Sequence, residues 1–325
     1  MLARLPKISP RAYAIITLVA LATLVIIIFT GAAVRLTGSG LGCPSWPRCD
    51  GKFIQTELDS HGAIEYGNRL FTGVVSIATI AASLAAFLRR PFRRDLAIIG
   101  VLLPLGVVGQ AILGGLTVLY GLAPGFVMGH FLLSQVILGA SVALAWRARH
   151  EPGERPRVAD RLAVLPVRAL LAWGGLVLLA GTAATGAGPH AGASGTGEIV
   201  PRLDFWGGGT MDDLIHWHGR MSTVLGVAAV GIWFLLRARG ANAEVRRAMT
   251  VVCLLLAAQG VVGFAQYELA LPPEIVWVHV CLATFTWLAL LWAVAAAGSL
   301  ARPGAGAEPQ RTVSSADPEP EPVRA

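Results

Sequence analysis

Residues 14–34 read AIITLVALATLVIIIFTGAAV, a run without a single charged side chain. A helix of about 20 consecutive apolar residues crosses the hydrocarbon core of a bilayer, so this stretch is long enough to span. It is too long for a removed secretory leader, and no small-residue cleavage site follows it. Working outward, seven more runs of the same kind follow, giving candidate spans at about 12–34, 63–88, 96–119, 126–146, 167–187, 213–236, 247–268 and 275–298. The chain is 55% hydrophobic and only 14% charged, against about 25% charged in soluble domains. The fold class expected is all-α: a polytopic membrane protein of eight transmembrane helices.

The net charge of +7 reports topology rather than a nucleic-acid partner. Arg4, Lys7 and Arg11 precede the first span. Arg89, Arg90, Arg93 and Arg94 join spans two and three. Arg147, Arg149, Arg155, Arg157, Arg161 and Arg168 cluster around the connection of spans four and five, and Arg237, Arg239, Arg246 and Arg247 join six and seven. The alternate connections hold few basic residues: Arg35, Arg48 and Lys52 in one and Arg202 in another. Basic residues stay on the cytoplasmic side, which places the N and C termini in the cytoplasm and the alternate loops outside.

The first outer loop contains LTGSGLGCPSWPRCDGKF, residues 36–53, with Cys43 and Cys49. Disulfides persist outside the cytoplasm, and Pro44 and Pro47 can turn the intervening chain back on itself, so a disulfide is feasible. Two free thiols or a transient metal site are the alternatives. Cys253 and Cys281 lie inside spans seven and eight and read as small packing residues.

The chain is written twice. LLPLGVVGQAILGG (102–115) resembles LLAAQGVVGFAQYE (255–268), and VRLTGSGLG (34–42) resembles GTAATGAGPHAG (181–192). IEYGNRLFTGVV (64–75) lines up with IHWHGRMSTVLG (215–226). The eight spans thus form two pseudo-symmetric four-helix bundles, parallel repeats about an axis along the membrane normal. The expected division is an N-terminal segment 1–11, a half at 12–146 with an outer cysteine loop at 35–62, an arginine-rich linker at 147–166, a half at 167–298, and a disordered Pro-, Ala- and Glu-rich tail at 299–325.

Ionisable residues inside spans are costly and mark functional sites. Here they open the even-numbered spans. Span two carries His61, Glu65, Asn68 and Arg69, span four His130, span six His216, His218 and Arg220, and span eight His279. All lie at one shallow depth near the outer face. Imidazoles converging inside a helical bundle suit a heme iron better than zinc, which needs closely clustered ligands. A single such histidine can equally be a core residue bonded to a carbonyl. The grouping expected is one site between spans two and four and one between spans six and eight. Arg69 and Arg220 could fork onto heme propionates or snorkel to the interface.

Together, the two four-helix halves, the outer cysteine pair, IEYGNR and the histidines opening spans four, six and eight resemble the heme A synthase family. The resemblance covers nearly the whole chain except its C-terminal tail. It implies oxidation of the C8 methyl group of heme O to the formyl group of heme A, which terminal oxidases of the aa3 type use. It implies a bis-histidine heme b in the C-terminal half, held by His279 with His218 or, failing that, His216, and a heme O/heme A substrate site in the N-terminal half with His130 as ligand. It also implies an essential glutamate, which Glu65 matches, and a role for the cysteine pair.

Two departures stand out. The family pattern has His-Arg in span two where this chain has Asn68-Arg69, and the second large outer loop, 188–212, lacks cysteines. His61 lies on the same helix face as Asn68 but ~10 Å further out, so it is the alternative ligand; otherwise the iron in this half is five-coordinate. The expected partners are heme O, heme O synthase, an unidentified electron-transfer partner, an extracytoplasmic thiol–disulfide partner and the lipid of a bacterial plasma membrane. The competing readings are a quinone-linked membrane cytochrome b and a heme carrier or exporter.

Overall fold

The computed structural model describes residues 7–49, 51 and 59–301. Eight long helices account for nearly all of it: α1 (Pro10–Leu36), α2 (Ser60–Leu88), α3 (Arg94–Leu119), α4 (Pro124–Arg149), α5 (Arg161–Ala187), α6 (Thr210–Ala238), α7 (Ala243–Glu268) and α8 (Pro273–Ala297). Each is long and apolar enough to cross a membrane, and the chain is a multi-pass membrane protein.

Four of the helices are capped at their starts by flanking polar side chains. Ser9, Asp59, Asp160 and Asn242 accept hydrogen bonds from backbone N–H groups in the first turns of α1, α2, α5 and α7, satisfying donors the helix itself leaves open. Prolines begin α1, α4 and α8, where a missing N–H is harmless.

The helices close into two rings. In one, α1 packs on α2 and α4 while α3 bridges α2 and α4; in the other, α5 packs on α6 and α8 while α7 bridges α6 and α8. Each ring has its own apolar core. The rings join where α8 meets α4 and α1, and α4 meets α5. Trp287 reaches both cores and its indole N–H donates to the Gln135 carbonyl at 3.0 Å. Large apolar side chains such as Ile77, Leu105, Val227 and Phe264 remain exposed on the outer surface, as a lipid-facing perimeter requires.

The internal repeat survives in the backbone. The turn after α3 sends the N–H of Gly121 to the Val118 carbonyl and that of Leu122 to Thr117; the turn after α7 sends Ala270 to Tyr267 and Leu271 to Gln266. Both are the same Schellman cap. Ala270 and Leu271 adopt φ 58° and 64° without the glycine that usually supplies such angles.

Two expectations are corrected at the arginine-rich end. The linker placed at 147–166 is shorter, because α4 continues through Arg149, where basic side chains favour a helix C-terminus, and α5 begins at Arg161 behind the Asp160 cap. The tail expected to be disordered from Ser299 begins with an ordered strand. Gly298, at φ 81°, turns the chain so that β2 (Ser299–Leu300) pairs in parallel with β1 (Arg157–Val158). The remainder of the expected tail, 302–325, lies outside the described residues, as do 1–6 and, in the cysteine loop, 50 and 52–58.

Candidate functional site

The segments 37–49, 120–123, 188–209 and 269–272 lie at one end of the molecule, opposite the arginine-rich end. Glu65, His130, His218 and His279 all sit within ~12 Å of the helix starts at that end.

In the C-terminal ring, the His218 and His279 rings face each other with centroids 6.3 Å apart and planes at 77°. A metal–imidazole bond of ~2 Å on each side, plus about 1.1 Å from each nitrogen to its ring centre, separates two such centroids by about 6 Å. The spacing of the pair would accommodate one metal ion held between the two imidazoles. His218 Nδ1 is bonded to the Val177 carbonyl at 3.2 Å; as a donor there, it leaves Nε2 with its lone pair for a metal. His279 Nδ1 is buried with no hydrogen-bond partner among the described residues. No group of three or more His, Cys, Asp or Glu side chains among the described residues could enclose a metal by itself. A porphyrin, which brings four nitrogens of its own, needs only the axial pair.

The structure separates the two histidines of α6. His216 is exposed, with Nδ1 bonded to the Asp212 carbonyl at 2.8 Å, and lies edge-on to Tyr267. Arg220 is exposed and its guanidinium lies over Trp217 at 5.6 Å, away from the imidazole pair's hydrogen bonds.

Each histidine of the set rests against a glycine on the preceding helix. A Cβ on Gly181 of α5 would lie 2.9 Å from His218 Cε1, one on Gly263 of α7 3.3 Å from His279 Cε1, and one on Gly114 of α3 3.1 Å from His130 Cε1. These notches escaped the reading from sequence. Glycine in a helix interior costs about 0.5–1 kcal/mol against alanine, and that cost is the signal that could have found them. The pattern breaks at α2, where Asn68 accepts a hydrogen bond at 2.7 Å from the Thr30 hydroxyl of α1.

The N-terminal ring is covered by the cysteine loop. Cys43 and Cys49 form a disulfide and both are buried. Glu65 fixes the loop from below: one carboxylate oxygen accepts from the Cys43 N–H at 2.7 Å and the other pairs with Arg69. Arg69 in turn donates to the carbonyls of Cys43 at 2.7 Å and Ser45 at 2.8 Å and lies over the Trp46 ring. Its guanidinium fork is therefore committed to the loop. Trp46 presses into α3 at Gly115, the residue next to the His130 notch. His130 Nδ1 is buried without a partner among the described residues, and its backbone is held by Gln110, which donates to the His130 carbonyl at 3.0 Å.

His61 belongs to the seam between the rings. Its Nδ1 and the Ser39 hydroxyl are hydrogen-bonded at 2.8 Å, and its ring fills the place of a side chain on Gly195 of the second large loop. The same seam holds Arg35, whose guanidinium donates to the carbonyls of His190 and Thr185. His61 is thus brought together with loop 188–209, and not with Asn68.

Residues 14–63 and 55–195 match the sequence profile of a family described as cytochrome oxidase assembly protein, COX15-CtaA. A heme A synthase of Lysinibacillus sphaericus is 32% identical over 123 residues, 38% of this chain and 40% of that protein. One from Listeria welshimeri is 32% identical over 122 residues, 37% and 40% of the two chains, and one from Bacillus cereus 30% identical over 122 residues, 37% and 39%. The matched stretch spans about two fifths of the length of these curated relatives.

Proposed function

From the chain's membership of the COX15-CtaA family of cytochrome oxidase assembly proteins, we propose that it is a heme A synthase, an oxidoreductase that converts the C8 methyl group of heme O to the formyl group of heme A. The observation that carries this reading is the pair of rings grown on α6 and α8, His218 and His279, set 6.3 Å apart, together with a second, lidded histidine site in the other half. We assign His218 and His279 as the ligands of a resident heme b, and His130 as the ligand of the substrate in the N-terminal half. When bound, heme b supplies one-electron transfer.

The chain's own residues do the rest. Val177 fixes the His218 ring through its carbonyl, which favours the tautomer with a free Nε2. The glycine notches let the three imidazoles approach the neighbouring helix backbones. The disulfide loop, held by Glu65, Arg69 and the Trp46–Gly115 contact, covers the substrate side. With water as the source of the formyl oxygen, oxidising the methyl group releases protons together with electrons, which leave to an external electron acceptor, and Glu65 is the carboxylate placed to accept a proton between the lid and α2. Asn68, engaged with Thr30, leaves the substrate iron with His130 as its one assigned ligand. The positive-inside distribution of arginines supports the reading that this end of the molecule faces outward from a bacterial plasma membrane.

The test is to co-express the full chain with a heme O synthase, purify it, extract the pigment and separate it by reversed-phase chromatography. Heme A beside heme b supports the synthase. Heme b alone assigns the chain to electron transfer as a membrane cytochrome b, and intact heme O bound without any heme A assigns it to carriage.

A further inference from the structure

The arginine-rich end carries a cavity of about 390 Å³ between α4 and α8, where the two rings meet. Its walls are apolar, with Gly139, Ala143, Leu291 and Ala295 among them, and its rim holds Arg147, Arg155 and Arg168. We propose that this cavity binds one anionic phospholipid of the cytoplasmic leaflet, with the phosphate among the three guanidinium groups and one acyl chain in the shaft between α4 and α8.

Two observations carry the assignment. The rim is cationic after its local pairing is counted: Arg147 and Arg155 share with Arg93 the single carboxylate of Asp95, at 3.4 and 2.9 Å, and among the described residues Arg168 donates to the Gly298 carbonyl, at 3.0 Å. From Gly139 to Arg147 the shaft follows ~12 Å of helix, deep enough for several methylenes and placed at the level where an acyl chain begins. Basic pockets between spans on this face are sites where anionic headgroups bind. The parallel pair β1–β2, pinned by the bond from the Ser299 N–H to the Pro156 carbonyl at 3.0 Å, roofs the cavity. A lipid seated there would touch both rings at once.

The full chain, purified in a neutral detergent, is titrated with phosphatidylglycerol and with phosphatidylcholine of the same chains, using native mass spectrometry to count bound lipid. Phosphatidylglycerol is expected to bind about tenfold tighter. Arg168→Gln, at an exposed side chain, should weaken it by about fivefold, the effect of one basic residue at a lipid headgroup. Gly139→Leu leaves the charge unchanged and fills the shaft, and should weaken it at least as much. Arg246→Gln with Arg247→Gln, at a second basic hollow on the same face, should leave it unchanged. Equal binding of the two lipids overturns the proposal. So does full affinity in Gly139→Leu, or displacement by inorganic phosphate at the concentration expected for a chainless ligand, since either shows that the shaft holds no chain. An equal loss in the Arg246/Arg247 variant overturns it too, by showing attraction to the whole basic face.

Discussion

Trp46 stands where a side chain on residue 115 would stand: a Cβ on Gly115 would lie 2.4 Å from the indole nitrogen. The lid and α3 are therefore fitted to each other at one ring and one missing side chain. Gly115→Leu should expel Trp46 and loosen residues 43–49. Hydrogen exchange of the Cys43 amide should accelerate by at least about tenfold, and heme A formation should fall while the heme b spectrum holds. Unchanged exchange would mean that the loop is held by Glu65 and Arg69 alone.

Glu65 both anchors the lid and is the assigned proton acceptor, and the two roles separate by substitution. Glu65→Gln retains an oxygen for the Cys43 N–H and removes the charge. We expect heme A formation to drop by about 100-fold or more, the range of general acid–base catalysis, with the heme b spectrum intact. Near-normal formation in Glu65→Gln, with loss only in Glu65→Ala, would make the carboxylate a clamp and nothing more.

His218→Ala and His279→Ala should each abolish the low-spin heme b signal, measured by optical and paramagnetic resonance spectra. His216→Ala should leave it in place, because His216 is exposed and bonded within its own helix.

Gly181→Ala puts a methyl group 2.9 Å from His218 Cε1. Overpacking of this kind costs about 1–3 kcal/mol and should appear as a shifted or weakened heme b spectrum. Gly114→Ala, against His130, should leave that spectrum alone and lower heme A yield instead.

The cysteines of the lid are six positions apart. Cross-linking so short a loop stabilises by about 2 kcal/mol in the chain-entropy picture. Cys43→Ser with Cys49→Ser should lower the melting temperature by a few degrees, with heme b retained through the transition of the loop. If the pair only braces the lid, mild reductant should have the same effect on activity as the double substitution.

The eight spans were legible because lipid imposes one rule on every one of them, a long uncharged helix, and because the polar flanks name their own caps. The repeat was legible for the same reason that it persists in the turns after α3 and α7: both halves need the same hairpin. The choice between His216 and His218 was open in the sequence, since two residues two apart point in opposite directions and either face could turn inward; packing of α6 between α5 and α7 decides it. The interlock of loop 188–209 with Gly38 and His61 could not be read at all. It depends on Gly192 and Gly195 approaching the first loop closely, a contact between halves that local pattern does not encode. Gly114, Gly181 and Gly263 looked like ordinary small residues of membrane helices until the rings they receive were in view.

Arg35 gives the molecule a schedule. It lies in the last turn of α1, yet the carbonyls it binds belong to Thr185 and His190, 150 and 155 residues later in the chain. At ~5–20 residues per second, synthesis takes roughly 8–30 s to reach them. Through that interval the guanidinium has to rest in water or among headgroups, and the end of α1 stays unlocked. The N-terminal half can seat α1 against α2 and α4 by itself, but the latch at its end waits for the C-terminal half, and a ribosome that stops before residue 190 leaves behind a half that is inserted but unlatched.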